Sequence, residues 1–349
     1  MKNAIYQVSV ILMIMMLIYH VLVFKNIDMI KSILKQQKAI FIAFGLIIIS
    51  MLLSSILGVN TLNSLSDTFK FVIRYVLILL VLLYFYKNNF FNREFIIKII
   101  VISITIYALD GLYQYLIGYD FFKEQPLMGQ GLTGPIFNRN IFGFIMAIGS
   151  IITFSLLFHN DYKFHYFKYF LFIIFLLMVF NLFFSMSRAS WLFFLLYFSL
   201  SIPYVYSKDL LSKKRLAMIM FVIFFIIILF TSNDSLLLRL NTLLSGNSSQ
   251  RFELWMDTLH YIRESFLYGY GIDTYTLIVT TKFSGTHNVF IEIFLFLGFF
   301  GFLTYLNFFR VVFLEVYKLK VYKYGFFLLS FLFLLPQFGG FCSIFSQTV

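Results

Sequence analysis

The feature that most constrains this chain is a succession of uninterrupted apolar stretches. They lie at residues 4–24, 39–58, 71–86, 96–118, 140–158, 169–186, 189–206, 216–231, 288–313 and 325–345, each with few charges or none. As helices, all are near the length that crosses about 30 Å of hydrocarbon. A membrane β-barrel would need segments of about ten residues alternating apolar and polar, and these stretches are continuous. Only 12% of the 349 residues are charged and 61% are hydrophobic, Phe alone supplying 50; a soluble domain is about a quarter charged. The fold class is therefore all-α polytopic membrane protein with about ten transmembrane helices, residues 1–349 forming a single membrane domain. The first stretch follows Lys2 and has no small-residue cleavage site, so it reads as a retained helix rather than a signal peptide.

The net charge of +12 invites a nucleic-acid reading until the basic residues are placed. They concentrate in segments 25–38 (Lys25, Lys31, Lys35, Lys38), 87–98 (Lys87, Arg93, Lys98), 159–168 (Lys163, Lys168), 207–215 (Lys208, Lys213, Lys214, Arg215) and 314–324 (Lys318, Lys320, Lys323). These are every second connection, so the positive-inside rule makes them cytoplasmic, with the other connections and both termini outside. Most of the charge is thus a topology signal, and no basic stripe interleaved with stacking aromatics occurs. No nucleic-acid partner is expected. Cys342 is the single cysteine, which excludes an intrachain disulfide and a Cys-based zinc cluster, and the five histidines are scattered. GxxxxGK[ST], HExxH and GxSxG motifs are absent, so no metal and no cofactor is expected.

Two outward connections are long, 119–139 and 232–287, and loops of that length in compact proteins usually carry function. Within the larger one, "GNSSQRFELWMDTLHYIRE" reads as a helix capped by Ser248 or Ser249. Phe252, Trp255, Leu259 and Ile262 recur at helical spacing, opposite Glu253, Asp257, His260 and Glu264. Such a helix lies on the membrane surface or lids a cavity. The following "YGYGIDTY" is irregular.

Three basic or titratable residues fall at outward helix ends. Arg188, in "SMSRASW", sits in a short connection between two spans, where a charge is far less costly than at mid-bilayer. Arg251 falls in the first turn of the loop helix, where free N–H groups and the helix dipole favour an anion. His287 opens the ninth span, with Thr286 a plausible N-cap, and the positive dipole end favours a neutral imidazole able to act as a general base. Asn288 can orient a substrate or the ring. Glu292, a turn deeper, is expected to be protonated or paired with a basic residue from another helix. Each has a plainer reading: a headgroup anchor for Arg188, a solvated first-turn residue for Arg251, an ordinary helix-end histidine for His287. Arg74 and Lys98 are explained as well by snorkelling, Asp110 is expected to have a partner, and Trp191 and Trp255 read as interface aromatics.

The order of "SRASW", "QRFELWMDTL", "YGYGIDTY" and "THNVFIEIFLFLGFFG" resembles the O-antigen ligase and polymerase superfamily of bacterial inner membranes. "GLTGPIFNRNIFG", residues 131–143, is similar to that family's segment ahead of its middle helices, and the resemblance spans roughly residues 100–345. It implies an enzyme taking glycan from an undecaprenyl-diphosphate carrier on the periplasmic side, without ATP or metal. The acceptor is lipid A-core oligosaccharide in the ligase branch and a second lipid-linked glycan in the polymerase branch. By position, Arg188 and Arg251 correspond to diphosphate-binding arginines and His287 to the base, with Asn288, Arg139, Glu292 and Asp110 as secondary candidates. The family usually has about twelve spans with both ends cytoplasmic. Here ten are expected, and the sequence stops at "PQFGGFCSIFSQTV", about where a last span would follow.

Between ligase and polymerase the motifs do not discriminate, and the ligase is the reading taken first. A reading from another class, a transporter or flippase for a lipid-linked anion, would call for broken or charged helices at the midplane and an internal repeat; no repeat is visible. A non-catalytic membrane scaffold would leave the polar loop and its histidine dispensable.

Overall fold

A computed structural model describes residues 2–24, 26–122, 124, 126–127, 131–158, 165–207, 213–245, 251–279, 285–286 and 288–318. The regular structure in these residues is helical, in the order α1 (Lys2–Phe24), α2 (Ile27–Gln36), α3 (Lys38–Leu57), α4 (Thr61–Phe71), α5 (Ile78–Lys87), α6 (Arg93–Ile117), α7 (Arg139–Phe158), α8 (His165–Phe184), α9 (Arg188–Ser207), α10 (Lys213–Thr231), α11 (Asp234–Leu244), α12 (Arg251–Glu264), α13 (Tyr275–Ile278) and α14 (Val289–Lys318). Among the described residues the only β-type pairing is an isolated bridge between Tyr119 and Pro126. Every apolar stretch up to residue 313 is helical, and 325–345 lies outside the described residues. By length and composition five helices can cross a membrane, or up to seven if each of two bent pairs is one span. Large apolar side chains face outward along them, among them Ile102, Ile106, Leu109 and Leu116 on α6. An outward apolar surface of that extent is what a bilayer solvates. The protein is an all-α polytopic membrane protein.

Two compact units form, one from residues 1–93 with 249–320 and one from 94–248. In the second unit α7 packs on α8 and α9. Phe142, Met146, Phe175, Phe183 and Phe194 fill the core. Glycines let the helices approach: a Cβ on Gly149 would lie 2.7 Å from Met178 Sδ, and one on Gly143 2.9 Å from Ser187 Cβ. Trp191 is a core residue rather than an interface aromatic, 1% exposed, its indole N–H donating to Leu182 O at 3.1 Å.

In the first unit α3 packs along α14 through small polar residues. Ser50 Oγ meets Thr304 Oγ1 at 3.2 Å, and the Ser54 hydroxyl donates to Phe296 O. α4 and α5 are joined by a π-helical turn, Val72–Leu77, that contains Arg74. α14 is not one helix. It breaks at Gly298, with φ 64° and ψ −166°. The "YGYG" loop fills the break: Tyr270 and Gly271 N–H donate to Leu295 O and Phe296 O, both at 3.0 Å. In return Phe299 and Phe300 N–H donate to Phe266 O and Leu267 O, at 2.8 and 3.4 Å. Backbone groups freed by a helix break inside a membrane protein must find such partners, because hydrocarbon offers none.

α11 was not expected from the sequence of the large loop. Asn233 caps it, its side chain accepting from Leu236 N–H at 3.2 Å. α12 forms where expected, but it buries a different face. Leu254, Thr258 and Ile262 are buried, while Phe252 and Leu259 are exposed. Thr258 is accommodated because its hydroxyl donates to Leu254 O at 2.7 Å. The proposed caps Ser248 and Ser249 lie outside the described residues.

Candidate functional site

In the second unit the site is built where two helix N-termini meet. Asn138 caps α7, its side-chain oxygen accepting from the N–H groups of Asn140 and Ile141 at 2.9 and 3.3 Å. That makes Arg139 the first residue of α7. Arg188 is likewise the first residue of α9, following the turn Ser185–Ser187 in which Met186 has φ 56°. Ser187 Oγ and Ser190 Oγ hydrogen-bond each other at 2.7 Å across the first turn of α9. Ser190 Oγ also reaches Asn140 O at 3.5 Å, tying the two N-termini together. Arg139 is half-buried and lies within electrostatic range of Arg188. Two guanidinium groups and two positive helix-dipole ends thus share one region of the unit.

A third arginine, which the sequence reading did not single out, holds Arg188 in place. Arg239 on α11 donates from Nε to Met186 O at 3.1 Å. Arg188 donates from Nη1 to Thr242 O at 2.9 Å. Each arginine therefore binds the backbone of the other's segment, fixing α11 against the turn that presents Arg188. Side-chain periodicity gives no hint of this exchange. The signal available in the sequence was Arg239 itself, a lone cation in an otherwise apolar run, "SLLLRLNTLL".

The loop carrying "GLTGPIFN" is fixed by α6. Asp110, 3% exposed, accepts from Phe121 N–H at 2.8 Å. One turn later the buried Gln114 accepts from Thr133 and Gly134 N–H, each at 3.0 Å, and its amide donates to Thr133 Oγ1 at 3.2 Å. Leu132 N–H donates to Phe184 O at 2.8 Å, landing the loop beside the α8–α9 turn. Asp110 thus has the partner expected of it, and that partner is a backbone N–H.

In the first unit Arg251 is the first residue of α12, and His287 lies outside the described residues. The residues flanking His287 are held tightly. α14 starts at Val289, two residues later than the expected Thr286 cap would set it, with Asn288 as its N-cap. The Asn288 side-chain oxygen accepts from Phe290 and Ile291 N–H at 3.0 and 3.4 Å. Thr286 hydrogen-bonds Asn288 through its hydroxyl, and its carbonyl accepts from Trp255 Nε1 of α12 at 2.9 Å. Glu292, fully buried, accepts from Thr286 N–H at 3.0 Å. Gly285 makes room for it, since a Cβ there would lie 2.7 Å from its carboxylate. Glu292 was expected to be protonated or paired with a basic residue from another helix; through the Thr286 N–H it also clamps the backbone beside His287 in sequence. Among the described residues no cluster of His, Cys, Asp and Glu suits a metal.

Residues 173–306 match the family model described as O-antigen ligase. The matched segment contains Arg188, Arg251, His287, Asn288 and Glu292; Asp110 and Arg139 precede it. No curated protein and no solved structure matches the chain.

Proposed function

We propose, for a chain whose residues 173–306 carry the O-antigen ligase family's segment, that the protein moves glycan from an undecaprenyl-diphosphate carrier to a sugar hydroxyl of lipid A-core. The reaction takes place on the periplasmic face of the bacterial inner membrane. Ligase- or polymerase-type activity on lipid-linked glycan is what the family match supports; the donor, acceptor and chemistry are the present reading. The observation that carries it is the joined pair of N-termini opening on Arg139 and Arg188. Arg139 lies within electrostatic range of Arg188, and a diphosphate, with at least two negative charges, is attracted by both guanidinium groups and both helix N-termini. The planar donor fork of arginine matches paired phosphate oxygens.

In this reaction His287 takes the proton of the acceptor hydroxyl as its oxygen attacks the anomeric carbon. The bond from that carbon to the diphosphate oxygen breaks on the opposite face, so the configuration inverts. The electron pair leaves with undecaprenyl diphosphate, whose growing charge Arg188, Arg139 and Arg251 stabilise. Asn288 and Glu292 act on the backbone around His287 rather than on substrate, and Asp110 acts on the 119–134 loop. The diphosphate is itself the leaving group, so the step draws on neither ATP nor a metal.

The glycan profile of a deletion strain tests the reading. Loss of all polymer from lipid A-core, with lipid-linked polymer accumulating, supports the ligase. Core carrying single repeat units supports the polymerase branch instead. An unchanged profile contradicts both.

A further inference from the structure

The first unit contains a second polar feature that this chemistry leaves unused. The N-terminal turns of α4 and the segment around α13 enclose an open cleft of about 350 Å³. Asn63, Ser66, Asp67 and Lys70 line it from α4, and Asp273 and Thr276 from the facing segment. Asp67 is only 5% exposed, and its carboxylate is held 2.7 Å from Lys70 Nζ. The facing wall is fixed as well. Ser64 Oγ donates to Ile272 O at 2.9 Å, and Val59 N–H donates to Tyr270 O at 2.9 Å.

The chemistry of the lining selects a ligand class. Amides, hydroxyls, a carboxylate pair and an ammonium offer donors and acceptors from several directions, as a polyol requires. The carboxylates of Asp67 and Asp273 can accept from sugar hydroxyls and repel a phosphate, while the Lys70 ammonium is held by Asp67, so the lining suits a neutral sugar over an anion. Its volume lies at the lower end of the roughly 300–1,000 Å³ typical of small-molecule sites. The polar turns of α4 lie at the opposite end of the Thr61–Lys87 helix from the basic segment that begins at Lys87.

We propose that this cleft is the acceptor subsite, binding the neutral terminal saccharide of the acceptor through Asn63, Ser66, Asp67 and Thr276. The proposal rests on the glycan-transferase reading. Full-length protein in nanodiscs is titrated with dephosphorylated core oligosaccharide and followed by saturation-transfer NMR. The same preparations are assayed for transfer from a lipid-diphosphate donor. Asn63→Leu and Thr276→Leu alter exposed side chains and leave the fold intact. Each is expected to weaken oligosaccharide binding at least tenfold and to raise the acceptor KM by the same factor, with donor KM and kcat unchanged. Wild-type affinity in both variants, or no binding by the wild type, overturns the subsite. Binding that the variants lose, in a wild type that transfers no glycan, upholds the subsite as a saccharide site and overturns the transferase instead.

Discussion

Gly298→Ala distinguishes the broken α14 from a continuous helix by the sign of its effect. With φ 64° and ψ −166°, Gly298 occupies a region that is essentially glycine-only, and holding alanine there costs about 1–3 kcal/mol. The added Cβ would lie 2.4 Å from Leu267 O and 2.5 Å from both Leu267 C and Tyr268 N. These are backbone atoms, so relief requires the 266–271 loop to withdraw. Withdrawal stretches the bonds from Phe299, Tyr270 and Gly271 N–H, now 2.8, 3.0 and 3.0 Å long. At about 1 kcal/mol net for each, the total loss comes to roughly 4–6 kcal/mol. In a continuous helix the same substitution would instead stabilise by about 0.8–1.0 kcal/mol. Gly45, inside α3 with nothing within 4 Å of its added Cβ, is the control: Gly45→Ala should gain stability. Thermal unfolding in detergent, with hydrogen exchange at Tyr270 and Gly271, reads both variants. If Gly298→Ala matches or exceeds the wild type and the two amides stay protected, the splice between loop and helix is wrong.

Gln114→Leu strands the N–H groups of Thr133 and Gly134 in a buried position, at about 1–3 kcal/mol each; thermal unfolding and exchange at those two amides should both report it. Arg239→Ala removes the donor to Met186 O. Hydrogen bonds to charged groups contribute about 1.5–3 kcal/mol, so donor KM is expected to rise about tenfold or more while acceptor KM stays fixed. Arg239→Lys, which lacks Nε geometry, should not restore it. Burial, reinforced by the Glu264 carboxylate, pushes the Tyr270 phenol up to about 12. The neutral form is therefore favoured in the folded protein. Its contribution to stability is present below pH 10 and declines as pH rises towards 12, an effect that spectrophotometric titration should show disappearing in Tyr270→Phe.

The membrane helices were legible because continuous apolar sequence has few other ways to satisfy its backbone. The short turn placing Arg188 at the start of a span was also legible, from two apolar runs with two residues between them. The buried face of α12 was not. In a membrane protein an outward Phe252 or Leu259 carries little penalty, and Thr258 is buried by bonding its own helix, so hydrophobicity stops marking the inside. The break at Gly298 was hidden for a related reason: "FLFLGFFGF" is apolar on both sides, and only the loop that fills the gap reveals it. The sequence marks Glu292 as a carboxylate that must be protonated or paired. Its contact with a backbone N–H six residues earlier depends on a fold of 285–288 that spacing does not specify. The exchange between Arg188 and Arg239 joins residues distant in sequence, and pattern reading within single helices does not reach it.

The central claim is that Arg188 binds a lipid diphosphate so that glycan can be transferred. Wild-type and Arg188→Ala proteins, reconstituted in liposomes at equal level, can be given radiolabelled undecaprenyl-diphosphate glycan and lipid A-core, with label on core measured over time. The account predicts transfer by the wild type without ATP or added metal, and loss of at least a hundredfold in Arg188→Ala, about the effect of removing one charged donor from a developing anion. Equal rates in the two proteins, or no transfer by the wild type, would contradict it.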